Sequence, residues 1–193
     1  VMNDDTELII NAGTGKYISQ FNLKKYLEDT EITHIYSALN RKEIKTTEHT
    51  TIIPLCVGDK KVGVIYIDEK IEKKEDIDLL SIFANQAAVA IQNTRLYQIA
   101  TYDPLTNVYL RGIFLEAFIR ELRITYRSRQ PLALLLLDID NMKKINDTAG
   151  HLAGDQALRM VGEAIHEATR QTDIRGRIGG DEFAIVLPNS NAE

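Results

Sequence analysis

The sequence predicts an α/β (α+β) chain in two parts: an antiparallel sheet with helices, then an α/β sandwich, joined by a long helix. Three observations carry this. Thr51–Val57 is rich in β-branched and apolar residues, and after the turn Gly58-Asp59-Lys60-Lys61 a second such run, Val62-Gly63-Val64-Ile65-Tyr66-Ile67, returns, which is a hairpin pattern. From Glu75 toward Thr101 there is no Gly or Pro, and apolar residues recur at steps of three and four, as on a helix. Beyond Asp103-Pro104 the patterns run helix, strand, helix, helix, hairpin, the order of helices packed on a sheet.

The 193 residues are room for one large domain or two small ones. Hydrophobic residues make up 44% and charged residues 26%, as in an average globular protein, which excludes a disordered, collagen-like or rod-like chain. The net charge is −5 with no basic block, which argues against DNA as a partner. A nucleotide remains possible where a metal ion supplies the positive charge. Cys56 is the single cysteine, so no internal disulfide forms and a reducing compartment is expected. The longest apolar run, Leu132–Leu137, is far short of a membrane span, and the N-terminus lacks a signal-peptide pattern. The expectation is a cytoplasmic protein with no direct membrane insertion.

Along the chain, Glu7–Ala12 and Lys16–Ser19 suggest a hairpin about Gly13-Thr14-Gly15. Gly13-Thr14-Gly15-Lys16 is not a P-loop, because the earlier Gly is missing and Tyr17 stands where Ser or Thr is needed. Leu23–Leu39 is mixed and reads as short helices. On the long helix, Ile77, Leu80, Ala84, Ala87 and Ile91 form one stripe, and Ile82, Val89, Leu96 and Ile99 a second. Two stripes imply two partners, the sheet of the first domain and a second copy of the chain, or else one helix buried on several sides. Asp103 can cap a helix and Pro104 suits its first turn, so the domains are placed at 1–97 and 98–193. The next helix turns Ile113, Phe114, Ala117, Phe118 and Leu122 to one side. Leu132–Ile139 is a strand whose unalternating Leu run predicts cover on both faces. Asp155 opens a further helix, and Arg175–Leu187 is a hairpin turning at Gly179-Gly180-Asp181.

Two acidic clusters stand out: Asp138 and Asp140 at the end of an apolar strand, and Asp181 and Glu182 in a Gly-Gly turn. A carboxylate at the exit of a buried strand is costly unless it is paired or binds a cation, and clusters on neighbouring strands suit a hard ion such as Mg²⁺. Glycines at 179 and 180 let backbone approach a ligand closely and take positive φ. Each cluster alone also fits an ordinary turn or cap.

Together the motifs are specific. Gly179-Gly180-Asp181-Glu182-Phe183 reads GGDEF, Asp103-Pro104-Leu105-Thr106 resembles DxLT, and Asp138–Asp147 resembles DxDxFKxxND. Gly150–Asp155 resembles GHxxGD, and Arg177 stands two places before the glycines. Over residues 102–188 the chain resembles the GGDEF diguanylate cyclase family. The resemblance implies a cyclase/palm-like fold that condenses two GTP into cyclic di-GMP and pyrophosphate. Each subunit of a homodimer holds one GTP, and each 3′-hydroxyl attacks the other's α-phosphate. It implies that Asp138, the backbone carbonyl of Ile139 and Asp181 hold Mg²⁺ (or Mn²⁺), and that Asp181, with Glu182 beside it, removes the hydroxyl proton. It further implies that Lys143 stabilises phosphate charge and that Asn146 and Asp155 read guanine. Without the motif, Asp155 would read as a helix N-cap, Lys143 as a solvated helix lysine and Asn146 as a turn residue. His151 belongs to the segment and receives no chemical role. Arg170-Gln171-Thr172-Asp173 has the form RxxD; at this spacing the resemblance implies a product-binding inhibitory site at Arg170 and Asp173.

The chain departs from the family pattern at Asn141 and Met142, where aromatic residues are frequent, and at Asn107-Val108-Tyr109-Leu110-Arg111 in place of Gly-Leu-x-Asn-Arg. It ends at Glu193, soon after the GGDEF hairpin, so the C-terminal part of the domain is expected to be missing. Residues 7–97 resemble the later part of a GAF domain. Pro54-Leu55, Gly63–Ile67, Asp78-Leu79-Leu80 and the run from Phe83 to Asn93 carry the resemblance, with the GAF opening helix and strand expected to be missing. This implies a sensory, dimerising module, and a homodimer through the linker helix and GAF part. Cys56 reads as a core residue. The expected function is a sensor-regulated diguanylate cyclase; the alternative is a catalytically inactive GGDEF module that binds cyclic di-GMP or GTP as a regulator.

Overall fold

A computed structural model describes residues 12–14 and 26–190. The chain divides into two compact units, Val1–Arg95 and Leu96–Glu193. The hairpin read about Gly13-Thr14-Gly15 lies outside the described residues apart from Ala12, Gly13 and Thr14.

The described part of the first unit opens with α1 (Asp29–Arg41). This is one helix of 13 residues where short helices were expected. Its start is fixed by a reciprocal box in which the Glu28 side chain takes an N–H of the first turn and the Glu31 side chain takes the Glu28 N–H. Then come β1 (Lys45–Thr46), β2 (Thr51–Val57) and β3 (Lys60–Ile67), an antiparallel sheet in the order β1-β2-β3. The predicted hairpin is present, with the tighter turn Gly58-Asp59; Gly58 has φ +58°. Alternation along the strands splits the core. Ile52, Val64 and Tyr66 pack with Ile35 and Leu39 of α1. Ile53, Leu55, Ile65 and Ile67 pack with Leu80, Ala84, Ala88 and Ile91 of α2 (Lys74–Thr101). The first apolar stripe of the long helix therefore covers its own sheet. The second does not: Ile82, Val89, Leu96 and Ile99 are exposed, so the helix is not buried on all sides by the described residues.

The second unit contains β4 (Tyr109–Leu110), α3 (Arg111–Ser128), β5 (Leu132–Asp138), α4 (Met142–Ala149), α5 (His151–Ala168), β6 (Ile174–Arg177) and β7 (Glu182–Pro188). Its sheet runs β4-β6-β7-β5; β4 pairs with β6 in parallel, and β7 pairs antiparallel with both β6 and β5. β7 is interior and alternates between two cores. Phe183 and Ile185 meet Met142, Leu158 and Ile165 on the α4/α5 side. Ala184 and Val186 meet Phe114 and Ala117 of α3 on the other. This is the expected helix-covered mixed sheet.

Four details differ from the expectation. Asp103-Pro104 opens a turn rather than a helix, and α3 begins at Arg111. Asp155 does not open a helix either: α5 begins at His151, after Gly150 at φ +83°, and Asp155 is its fifth residue. β5 is an edge strand with Leu134–Leu137 exposed, so the Leu run is not covered on both faces by the described residues. Gly179 and Gly180 are not among the positive-φ residues. No described helix is long and apolar enough to cross a membrane.

Gly176 sets the distance of α3 from the sheet: a Cβ there would lie 2.5 Å from the Phe114 Cβ. Gly176→Val is expected to lower unfolding stability by about 1–3 kcal/mol through overpacking, read as a reduced urea midpoint.

Candidate active site

The acidic ends of β5 and β7 lie together. In the β5/β7 ladder Asp138 stands directly across from Glu182, and the Ile139 N–H donates to the Asp181 carbonyl at 3.2 Å. Residues far apart in sequence are thus brought to one end of the sheet. Carboxylates directly opposite on paired strands repel, so this end of the sheet favours a cation.

Beside it lies an open cavity of about 410 Å³, lined by residues that include Lys143, Asn146, Asp147, His151, Asp155 and Asp181. Helices α4 and α5 supply one wall and the β6–β7 turn, with Arg177 and Gly180, the other. Of the residues singled out from sequence, Lys143, Asn146, Asp155 and Asp181 share this cavity. Asp138, Ile139 and Glu182 flank it through the ladder, and Arg170 and Asp173 sit elsewhere, in the turn between α5 and β6. In that turn the buried Asp173 carboxylate accepts the Arg170 backbone N–H at 2.7 Å.

Asn146 is placed by close packing of α4 on α5. A Cβ on Gly154 would lie 2.0 Å from its Oδ1 and 3.1 Å from the Met142 Cε, so only glycine leaves that side chain where it is. Met142 is buried in the core as well as lining the cavity, and Asn141 before it takes φ +58°. Asn107 also stands at positive φ, +56°, where glycine is the usual residue and asparagine is tolerated.

Arg177 received no role from sequence, yet it fixes the Gly-Gly turn. Its Nη1 donates to Asp103 Oδ1 and Oδ2 at 3.2 and 3.1 Å. Its Nε donates to the Gly180 carbonyl at 3.1 Å, and Nη2 donates to the same oxygen. Asp103 in turn accepts the Leu105 N–H, the Thr106 N–H and the Thr106 hydroxyl at 3.2, 2.9 and 2.8 Å. Helix α5 presses on this turn, since a Cβ on Gly162 would lie 2.6 Å from the Thr106 carbonyl oxygen. Burial pushes the Asp103 carboxyl up, but the Thr106 hydroxyl, the Thr106 N–H and the Arg177 guanidinium outweigh it and hold it below the ordinary value. His151 and Asp147 also line the cavity without a role read from sequence; their places within the quoted segments were the only signal.

The donor set fits a hard divalent ion. The paired ends of β5 and β7 set the carboxylates of Asp138 and Glu182 across from each other, with Asp181 next in sequence, and no cluster of three His, Cys, Asp or Glu side chains suited to a metal occurs among the described residues. Two carboxylates completed by a ligand's phosphates is the usual arrangement for Mg²⁺, which seldom sits in an all-protein cage.

Comparison with known proteins places these features. The family "Diguanylate cyclase, GGDEF domain" matches residues 100–193, and "Domain of unknown function (DUF3369)" matches residues 1–99. Diguanylate cyclase A of Treponema denticola is 31% identical over 159 residues, 78% of this chain and 43% of that protein. The cyclic di-GMP phosphodiesterase NbdA of Pseudomonas aeruginosa is 41% identical over 91 residues, 47% of this chain and 12% of that protein. This chain thus spans less than half the length of either relative. The crystal structure of the coiled coil and GGDEF domain of DgcB from Caulobacter crescentus, in complex with c-di-GMP, aligns with a TM-score of 0.54 at 29% identity, covering 62% of this chain and 63% of that one.

The ion pair sets a pH dependence. With its pKa depressed on folding, Asp103 contributes stability that is fully present above its unfolded value, near 3.8, and is lost as pH falls through the lower folded value. Asp103→Asn is expected to lower stability at pH 7 by about 1–3 kcal/mol by leaving Arg177 unpaired and to flatten the acid limb. Urea midpoints at pH 7 and pH 3 measure both.

Proposed function

Residues 100–193 of this chain are a GGDEF domain and residues 1–99 belong to the DUF3369 family, and on that premise we propose that the protein is a diguanylate cyclase, condensing two GTP into cyclic di-GMP and pyrophosphate. One observation carries the reading: a single cavity gathers Lys143, Asn146, Asp155 and Asp181 beside the facing acidic ends of β5 and β7. Asp138, the Ile139 carbonyl and Asp181 would hold Mg²⁺ (or Mn²⁺), which when bound neutralises phosphate charge and acidifies the attacking hydroxyl. Asp181, or Glu182 beside it, accepts the 3′-hydroxyl proton. Lys143 offsets charge on the phosphates. Asp155 lies within α5 rather than at its cap, which leaves its carboxylate available to the paired N–H donors of guanine; Asn146, held by the Gly154 contact, completes the set. Adenine lacks that donor pair.

Two GTP require two sites, so the active form is a homodimer. The face of α2 opposite its buried stripe supports this: Leu79, Ile82, Val89 and Leu96 are exposed at heptad-like spacing, with Gln86 and Asn93 between them. The first domain, 1–97, is read as a GAF-like sensory and dimerising module of a cytoplasmic protein, on the strength of its antiparallel sheet between two helices. The second, 98–193, is the catalytic domain. Arg170 and Asp173 are read as the product-inhibition site.

The alternative is a GGDEF module that binds cyclic di-GMP or GTP without turnover, which the likeness to part of a protein named as a phosphodiesterase favours. Asp181 and Glu182, both in place, favour the cyclase. Incubation of the full-length protein with GTP and Mg²⁺ is expected to yield cyclic di-GMP. Chelation by EDTA or the change Asp181→Asn should each lower the rate at least about a hundredfold, whereas Asp173→Ala should keep turnover and weaken product inhibition. GTP binding with no product in the wild type would establish the alternative.

A second expectation concerns the helix face. Sedimentation equilibrium is expected to show a dimer, and the double change Ile82→Glu, Val89→Glu a monomer that binds GTP yet forms no cyclic di-GMP. A fully active monomeric variant would remove this face from the proposal.

A further inference from the structure

We propose that His166 and Arg175 are positioning residues that tie the turn Arg170–Asp173 to the turn Asp103–Val108, and through it to the Gly-Gly turn of the active site. Neither residue lines the cavity, and neither belongs to a motif read from the sequence.

Donor and acceptor chemistry fixes the arrangement. Arg175 Nη1 lies 2.8 Å from His166 Nδ1, and His166 Nε2 lies 3.0 Å from the Asn107 carbonyl oxygen. A guanidinium can only donate, so Nδ1 accepts and the ring proton sits on Nε2, where it is donated to Asn107. The same guanidinium donates through Nη2 to the Arg170 carbonyl. One arginine and one neutral imidazole therefore span from the carbonyl of residue 170 to that of residue 107.

Each turn so joined is closed on itself. Asp173 N–H donates to the Arg170 carbonyl at 3.0 Å, while Asp173 Oδ2 takes the Arg170 N–H at 2.7 Å. In the other turn, Asp103 N–H donates to the Val108 carbonyl at 2.8 Å and Asn107 N–H to the Asp103 carbonyl at 2.9 Å. Hydrogen bonds run on from the second turn, since the Asp103 carboxylate accepts from Arg177, which also donates to the Gly180 carbonyl. A phosphate-bearing ligand that reshapes the turn at Arg170 and Asp173 would thereby be felt at Gly180, one residue from Asp181. That consequence rests on the product-site reading above; the tie itself does not.

The test uses the full chain without ligand. Amide hydrogen exchange is followed at Asp103 and Asn107 in one turn and at Arg170 and Asp173 in the other. Arg175→Met and His166→Phe, which keep bulk and remove the hydrogen bonds, are each expected to speed exchange at both turns by roughly tenfold. His166→Gln, whose amide both accepts and donates, should restore protection. The ¹⁵N shifts of His166 should report the Nε2–H tautomer in the wild type and lose that signature in Arg175→Met. Faster exchange at one turn only, at neither, or evenly across the whole domain overturns the proposal. In a turnover assay His166→Phe should lower kcat about tenfold with the KM for GTP within about twofold. A protein that makes no cyclic di-GMP would sink the cyclase reading and leave the exchange result to decide this one.

Discussion

The geometry of the site depends on one guanidinium. Arg177 ends β6, two places before the Gly-Gly turn, and reaches both back to Asp103 and forward to the Gly180 carbonyl. Its partner is 74 residues earlier in sequence, so a single side chain fastens the segment entering the second unit to the segment carrying Asp181. Both members of the pair are largely buried. A buried pair adds little net stability over apolar residues of the same shape, but breaking it strands a charge. Its value lies in specifying position. The turn then needs no left-handed glycine: the clamp on Gly180 holds it, and the space around Gly180, where an added Cβ would meet nothing, stays open to the cavity.

Register does the rest. Side chains alternate along a strand, so a slip of one residue between β5 and β7 would send Asp138 and Glu182 to different levels and turn Phe183 and Ile185 out of the core. The apolar alternation of β7 thus positions the acidic end of the sheet. Burial of Phe183 beside Met142 and Leu158 and the facing of Asp138 and Glu182 are consequences of the same ladder. Core packing and site assembly cannot be varied independently here.

Much of this was legible in the residues, and the failures are informative. The β2–β3 hairpin, the long helix and the β6–β7 hairpin were readable because local periodicity and turn chemistry decide them. The pairing of the end of β5 with the start of β7, which sets Asp138 across from Glu182, was reached through motif order rather than pattern. The Leu run of β5 was read as covered on both faces; among the described residues the strand so covered is β7. Apolar composition says that a strand seeks cover and not which neighbour supplies it. Asp103 and Asp155 were read as helix caps, since an Asp before a helical pattern fits one. Asp103 instead closes a turn with Thr106 and Arg177, and Asp155 sits inside α5 because Gly150 lets the helix start four residues earlier. Arg177, His166 and Arg175 were invisible as actors, since their partners lie far away in sequence. Asn107 shows the opposite case. It stands where the family pattern has glycine, and it takes a left-handed backbone, which asparagine tolerates better than most residues.

The long helix poses the remaining question of what its second face meets. Its buried stripe is committed to the sheet of the first unit, and Leu79, Ile82, Val89 and Leu96 lie on the opposite side. A purely apolar stripe would accept any apolar partner. This one is interrupted by exposed Gln86 and Asn93, each seven residues from the last of its kind in the pattern Leu79, Gln86, Asn93, Ala100. An amide inside such a seam is best satisfied by the same amide on an identical helix in parallel register. Antiparallel pairing would set each amide against apolar side chains. The polar interruptions weaken the stripe as a generic sticky surface and, under the homodimer proposed above, favour an identical helix in the same register over any other apolar partner.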